Sequence, residues 1–188
     1  RGAPASFTKD EIDINIIKKS KIFLTQLEIP IEVTLYSLKA AKENGLVNIL
    51  NPAPACKLDK EFFSLADYFT PNEAEAEFYT GVKIKNENDA KESAKKLLTL
   101  GLKKVIITLG EKGLFYSDGK EEIYIKALPF KKVEDTTGAG DAFNGGLAYA
   151  LSKNKSIKEC LNIANQVAGL STLKLGAGNS MPLLTDLK

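Results

Sequence analysis

Histidine does not occur once in these 188 residues. Its absence excludes a Ser-His-Asp triad and a histidine-ligated zinc centre, and it leaves carboxylates or amines as the bases for any proton transfer. Cysteine is nearly as scarce. Cys56 and Cys160 stand too far apart in sequence for a metal knuckle or a disulfide framework, so both read as reduced core or near-surface residues of a cytoplasmic protein. No apolar run approaches the ~20 residues that a membrane helix needs, and no signal-peptide pattern opens the chain. An excess of one charge is missing too. The 26 basic and 24 acidic residues leave a net charge of +2, with lysines interleaved among acids. That balance gives no basic field for nucleic acid, and a small-molecule partner is expected.

What is present fits a soluble α/β enzyme domain: 44% hydrophobic and 27% charged residues at a length usual for one domain. Apolar runs at Lys21 to Leu27, Leu46 to Leu50, Asp67 to Thr70 and Lys103 to Leu109 read as strands. Helical spacing follows at Ile31 to Glu43, ended by Gly45, then at Asn72 to Tyr79 and Ala90 to Leu100, the last with paired lysines on its exposed face. Leu114 to Ser117 and Glu122 to Ala127 read as a hairpin closed by an Asp118-Gly119 turn. Ala139 to Leu151 and Ile157 to Leu173 are the closing helices. Alternating strands and crossover helices predict a mostly parallel sheet with helices on both faces and ligands beyond the carboxyl ends of the strands. With no repeat or low-complexity linker in sight, residues 1–188 are expected to form a single domain.

The most informative segment is Asp135-Thr136-Thr137-Gly138-Ala139-Gly140-Asp141-Ala142-Phe143-Asn144-Gly145-Gly146. Gly138, Ala139 and Gly140 let a phosphate approach the backbone, and the N–H groups of the first helical turn favour an anion there. Asp141 is out of place in such a site unless it takes a proton from an attacking hydroxyl while the amides neutralise the transferring group. For Gly-x-Gly-Asp taken alone, an ordinary helix start with a first-turn acid remains open.

The full segment resembles the C-terminal signature of the ribokinase-like sugar kinases, the phosphofructokinase-B type family. Gln26-Leu27-Glu28-Ile29-Pro30, Asn51-Pro52-Ala53-Pro54-Ala55 and Thr70-Pro71-Asn72-Glu73-Ala74-Glu75 agree with it in order and rough spacing, so that the similarity runs over nearly the whole chain. The resemblance implies a three-layer αβα ribokinase-like (Rossmann-like) fold. Arg1-Gly2-Ala3-Pro4, which opens without a methionine, reads as the middle of a loop. Against the family, the chain is therefore expected to be a truncated ATP-binding core, lacking the lid strands and the N-terminal third with most of the sugar pocket, and inactive by itself.

The activity implied is ATP-dependent phosphorylation of the 5-hydroxyl of D-ribose to ribose 5-phosphate. Asp141 would be the base, and Gly138, Ala139 and Gly140 the anion hole. Other acceptors stay open: fructose, a nucleoside or a sugar phosphate, as does a nucleotide-binding fragment without turnover. Asn72 and Glu75 read plainly as an N-cap with a first-turn acid, and the resemblance adds that Asn72 meets nucleotide phosphates and Glu75 organises Mg²⁺ through water. Thr108-Leu109-Gly110-Glu111-Lys112-Gly113 reads as a tight glycine turn, and the resemblance assigns Thr108, Gly110, Glu111, Lys112 and Gly113 to ATP. Asn165 would ordinarily face solvent from its helix; by position it matches a residue near the adenine. The loop Lys174 to Pro182 ends the last helix with glycine. By resemblance Asp135, Thr137, Ser171, Lys174, Gly176 and Ser180 surround a monovalent cation, K⁺, mostly through backbone oxygens. Gly178-Asn179 departs from the usual family pattern there. Glu28 sits at the end of an apolar strand, where an acid wants a partner, and the resemblance gives it the sugar hydroxyls; an exposed strand-end carboxylate is the alternative. The family also implies a homodimer through the lid.

Overall fold

The computed structural model describes residues 6–130 and 132–187; the loop reading of Arg1 to Pro4 lies outside them. Six short strands form one sheet: β1 (Ile22–Thr25), β2 (Val47–Leu50), β3 (Tyr68–Phe69), β4 (Val105–Thr108), β5 (Leu114–Ser117) and β6 (Glu122–Ile125). Their order in the sheet is their order in the chain. The first four run parallel, with Ile22 opposite Val47, Ile49 opposite Tyr68 and Phe69 opposite Val105. The links at residues 109–113 and 118–121 are too short for a crossover helix, so β5 and β6 join as antiparallel neighbours.

Helices fill the other connections. A short α1 (Ile14–Lys18) precedes β1, and α2 (Ile31–Glu43) links β1 to β2. Along α2 the buried positions are Val33, Thr34, Ser37, Leu38, Ala40 and Ala41, one stripe at helical spacing, and Gly45 just beyond takes a φ of 77° that ends the helix. This stripe lies on β1, β2 and α3 (Lys60–Leu65). Ala40 and Ala41 join Ile17 and Leu46 in a small apolar cluster under α1. α4 (Glu73–Thr80) and α5 (Glu87–Thr99) pack on each other before β4.

By its internal contacts the chain divides into two compact units. The first runs through Ile107 and takes back Tyr116–Glu122; the second holds Thr108–Phe115 and the residues from Ile123 onward. The first unit has its core in Leu38, Ile49, Leu50, Phe62, Phe69, Leu97, Ile106 and Ile107, all essentially without exposure. Burying such a side chain stabilises by about 1.5–3 kcal/mol each. Beside this core Phe63, Phe69 and Tyr79 meet edge to face at 5.5–5.9 Å. The second unit is built on α6 (Ala139–Ser152) packed along α7 (Ile157–Ser171). They approach closely at Gly146, where a Cβ would stand 3.0 Å from Val167 and 3.1 Å from Ala164.

Two local expectations change. The second hairpin strand ends at Ile125 instead of Ala127, while the loop holds Asp118 to Glu121, as the expected strand limits leave it. Asp118 Oδ1 accepts the amides of Lys120 at 2.8 Å and Glu121 at 2.7 Å, so the aspartate side chain shapes the turn. α5 begins at Glu87, three residues before Ala90, because Asn86 and Asp89 form a reciprocal cap in a polar stretch that carries no apolar period.

Candidate active site

In the first unit, the carboxyl ends of β1, β2 and β3 are laced by polar side chains. Gln26 Nε2 donates to Asn51 Oδ1 at 2.9 Å, and Asn51 Nδ2 donates to the Thr70 carbonyl at 2.7 Å. Three motifs scattered over the sequence thus meet at one end of the sheet, where an open parallel sheet binds its ligands. From there the chain enters α4 through a complete capping box. Glu75 N donates to Asn72 Oδ1 at 2.9 Å, and the Glu75 carboxylate accepts from Asn72 N at 2.8 Å and Asn72 Nδ2 at 3.0 Å. Asn72 is exposed, whereas Glu75 is buried. Burial raises the Glu75 carboxyl above the usual range, and the Asn72 amide only partly opposes it.

Glu28 takes the exposed alternative. It lies three residues beyond β1, in a bend, and is exposed, so no buried strand obliges it to find a partner. Its neighbour Leu27 is the residue that turns inward, at 7% exposure.

In the second unit, Thr108 ends β4 and residues Gly110–Lys112 form one 3-10 turn. The Leu109 amide donates to the Gly113 carbonyl at 2.8 Å, and Tyr124 Oη on β6 donates to the Lys112 carbonyl at 2.8 Å. Gly113 has a φ of 105°, and a Cβ on it would fall 1.9 Å from the Ile125 carbonyl oxygen. Only glycine fits there. Asn165, half-buried on α7, spends its amide on the Lys126 carbonyl at 2.9 Å, a tie that sequence position alone does not reveal.

Asp135 joins two loops of this unit. Its Oδ1 accepts from the Thr137 amide and its Oδ2 from the Gly176 amide, both at 2.9 Å. The Thr137 hydroxyl, then the Thr137 and Gly176 amides, hold its carboxyl below the usual range. The amides of Glu134 and Asp135 donate in turn to the Thr172 carbonyl, next to the buried Ser171. Ser180 is buried and donates to the Ala177 carbonyl, and Ala177 stands against Gly138, where a Cβ would come within 3.0 Å of it. Asp135, Thr137 and Gly176 are therefore brought together and Ser171 lies next to them in sequence, while the Lys174 side chain is exposed. Carbonyl-rich turns around one carboxylate suit a large monovalent cation, since each engaged carboxylate oxygen keeps a second lone pair. Among the described residues no group of three or more acidic or thiol side chains could hold a metal ion. A divalent cation would have to rely on phosphate oxygens and water, which suits Mg²⁺ near a single acid such as Glu75.

The signature turn opens α6. Gly138 caps the helix in the left-handed region at φ 79°, Asp141 is the third helical residue, and it is exposed. A Cβ on Gly140 would meet nothing within 4 Å, which leaves open space over that peptide. One of the amides assigned to an anion is already engaged: Ala139 N donates to the Thr136 carbonyl at 3.1 Å, and Ala142 N closes the first helical bond on Gly138. Gly140 and Asp141 follow in the same turn, at the positive end of the helix. Asp141 also lines a groove of about 300 Å³, together with Gly145, Tyr149, Val167, Met181 and Leu184 among others. Asn144, which carried no role in the sequence reading, donates from Nδ2 to the Gly140 carbonyl at 3.0 Å.

Comparison with known proteins agrees with this geometry. The family model described as pfkB family carbohydrate kinase matches residues 7–184. The chain is 35% identical over 190 residues to a ribokinase of Staphylococcus aureus, covering 99% of this chain and 62% of that protein. It is 42% identical over 166 residues to a ribokinase of Haemophilus influenzae, covering 88% of this chain and 54% of that protein. The structure of Arabidopsis thaliana ribokinase complexed with ribose and ATP superposes with a TM-score of 0.86 at 34% identity, over 90% of this chain and 55% of that one. The α/β ribokinase-like fold is thereby shown. The chain spans less than two thirds of the length of these relatives.

Proposed function

Because the chain belongs to the pfkB family of carbohydrate kinases, we propose that it carries the phosphoryl-transfer end of an ATP-dependent kinase whose acceptor is the 5-hydroxyl of D-ribose. The observation that carries this reading is an exposed carboxylate, Asp141, in the first turn of a helix whose entrance is open at Gly140. Two of the relatives at 35% and 42% identity are ribokinases, and ribose with ATP occupies the Arabidopsis structure.

In this reading Asp141 takes the proton from the attacking hydroxyl as the oxygen forms its bond to phosphorus. The Gly140 and Asp141 amides, backed by the helix dipole, face the charge that spreads over the transferring group. Asn72 meets nucleotide phosphates, and the turn from Thr108 to Gly113, held by Tyr124, offers the backbone to the nucleotide. Bound Mg²⁺ would neutralise the phosphate oxygens, with Glu75 holding its water, and bound K⁺ would brace the loop at Asp135, Thr137 and Gly176. The Thr137 hydroxyl and amide and the Gly176 amide favour the ionised form of Asp135 that such a cation would meet.

Turnover is read as sugar-dependent ADP release, with ribose, fructose, a nucleoside and a phosphorylated hexose compared as acceptors. In the full-length enzyme, Asp141→Asn is expected to lower kcat at least about a hundredfold while leaving nucleotide affinity intact. A near-normal kcat would remove Asp141 from the chemistry. ATP binding without release of ADP for any acceptor would leave a nucleotide-binding core.

A further inference from the structure

Asn144 stands apart on α6. The buried positions of this helix are Ala142, Phe143, Asn144, Gly146, Leu147 and Ala150, and Asn144 alone among them has a polar side chain, at 3% exposure. A primary amide in such a place costs free energy unless it is hydrogen-bonded, and an alanine or leucine would have served the packing. Asn44 and Asn162 make the same bond to the carbonyl four residues earlier, but from exposed positions where water is an alternative partner. The donor at Asn144 must be the amide nitrogen, since the acceptor is a carbonyl oxygen, so its orientation is fixed.

The carbonyl it reaches belongs to Gly140. The Gly140 C=O and the Asp141 N–H are two ends of one planar peptide. A donor on the carbonyl end holds the plane in place and polarises the N–H at the other end, which becomes a stronger donor. That N–H sits in the first turn of α6, on the residue that carries the proposed base. We infer that Asn144 is a positioning residue: by donating to the Gly140 carbonyl from behind, it aims the Gly140–Asp141 peptide at the phosphoryl group and fixes the backbone from which the Asp141 carboxylate extends. The inference deepens the proposed kinase reading and rests on it for the identity of the anion.

The test uses the isotope-labelled chain, with inorganic phosphate as the probe. Asn144→Ala removes the donor, and Asn144→Val does so while filling the space, should the alanine variant open a cavity. Asn144→Ser restores a donor, because a hydroxyl one turn along reaches the same carbonyl, as Ser37 does to Val33 at 2.9 Å. Without ligand, the Gly140 carbonyl-carbon and Asp141 amide resonances are expected to move in the alanine and valine variants and to return in the serine variant. Phosphate affinity should fall roughly fivefold in the first two and recover in the third, the size of one ordinary hydrogen bond. Unmoved resonances in the alanine and valine variants would overturn the inference. So would a loss shared equally by serine, which would make Asn144 a space filler. If phosphate leaves the wild-type Asp141 amide unmoved, the anion site itself is wrong, while the ligand-free resonances still decide what Asn144 does.

Discussion

Asp67 shows how one side chain organises several elements. It accepts Lys42 Nζ at 2.6 Å and Lys103 Nζ at 3.1 Å on one oxygen, and the Asn48 amide at 3.0 Å on the other. Burial pushes its carboxyl up, but the Asn48 amide and the two ammonium groups outweigh that and hold it below the usual carboxylate range. A carboxyl lowered on folding stabilises fully above its unfolded value, about pH 4, and that stabilisation is lost as pH falls through the lower folded value. Asp67→Ala is therefore expected to cost about 1–3 kcal/mol in denaturant unfolding at pH 7, and clearly less near pH 3. An equal cost at both pH values would refute the ionic account. At this scale the sequence spoke unevenly. The place of Asp141 was legible because a small-residue turn ahead of an apolar helical run marks a helix start, and α6 begins there. The strand before Glu28 was read through to Leu27, whereas β1 ends at Thr25 and the acid is exposed in a bend, in line with the alternative of an exposed carboxylate. Asn144 was invisible, since a bond to a carbonyl one turn back leaves no pattern in residue types.

Among the elements, α6 carries adjacent glycines with opposite surroundings. A Cβ on Gly145 would meet nothing within 4 Å, while one on Gly146 would crowd Val167 and the Ala164 backbone at 3.0–3.1 Å. Alanine exceeds glycine in helix propensity by up to about 1 kcal/mol, and overpacking costs about 1–3 kcal/mol. Gly145→Ala should raise the melting temperature and Gly146→Ala lower it; changes of the same sign would mean that α6 and α7 can move apart at no cost. Elements with long apolar periods were readable almost to the residue, as α2 was, whose limits Ile31 and Glu43 agree with the expected ones. α3 was not, because Lys60–Leu65 is too short to show a period. Asp59 stands at its N-cap without a side-chain bond to the helix, and its buried residues are Phe62 and Phe63. The loop between β5 and β6 falls where the expected strands left it, and within it the Asp118 side chain supplies turn contacts that an Asp-Gly pair does not announce.

Taken whole, the chain has a net charge of only +2, so long-range attraction gives a triphosphate little. Affinity must come from short-range amides and from bound cations. Calorimetric titration with a non-hydrolysable ATP analogue and Mg²⁺ is accordingly expected to show tighter binding in potassium than in a large inert cation, and a weak dependence on total salt. Equal affinity in both salts would remove the monovalent cation from the loop at Asp135. Strand-helix alternation in the sequence was enough to foresee a mostly parallel α/β sheet. Strand order was not legible, because period and burial look alike for every parallel strand.

That order carries a consequence for biogenesis. Each strand from β1 to β6 lies beside the one made just before it, so a nascent chain leaving the ribosome can extend the sheet by one strand at a time. None of the six has to wait, edge exposed, for a neighbour encoded far downstream, and contacts of short sequence separation close quickly. Vectorial synthesis and sheet growth run in the same direction.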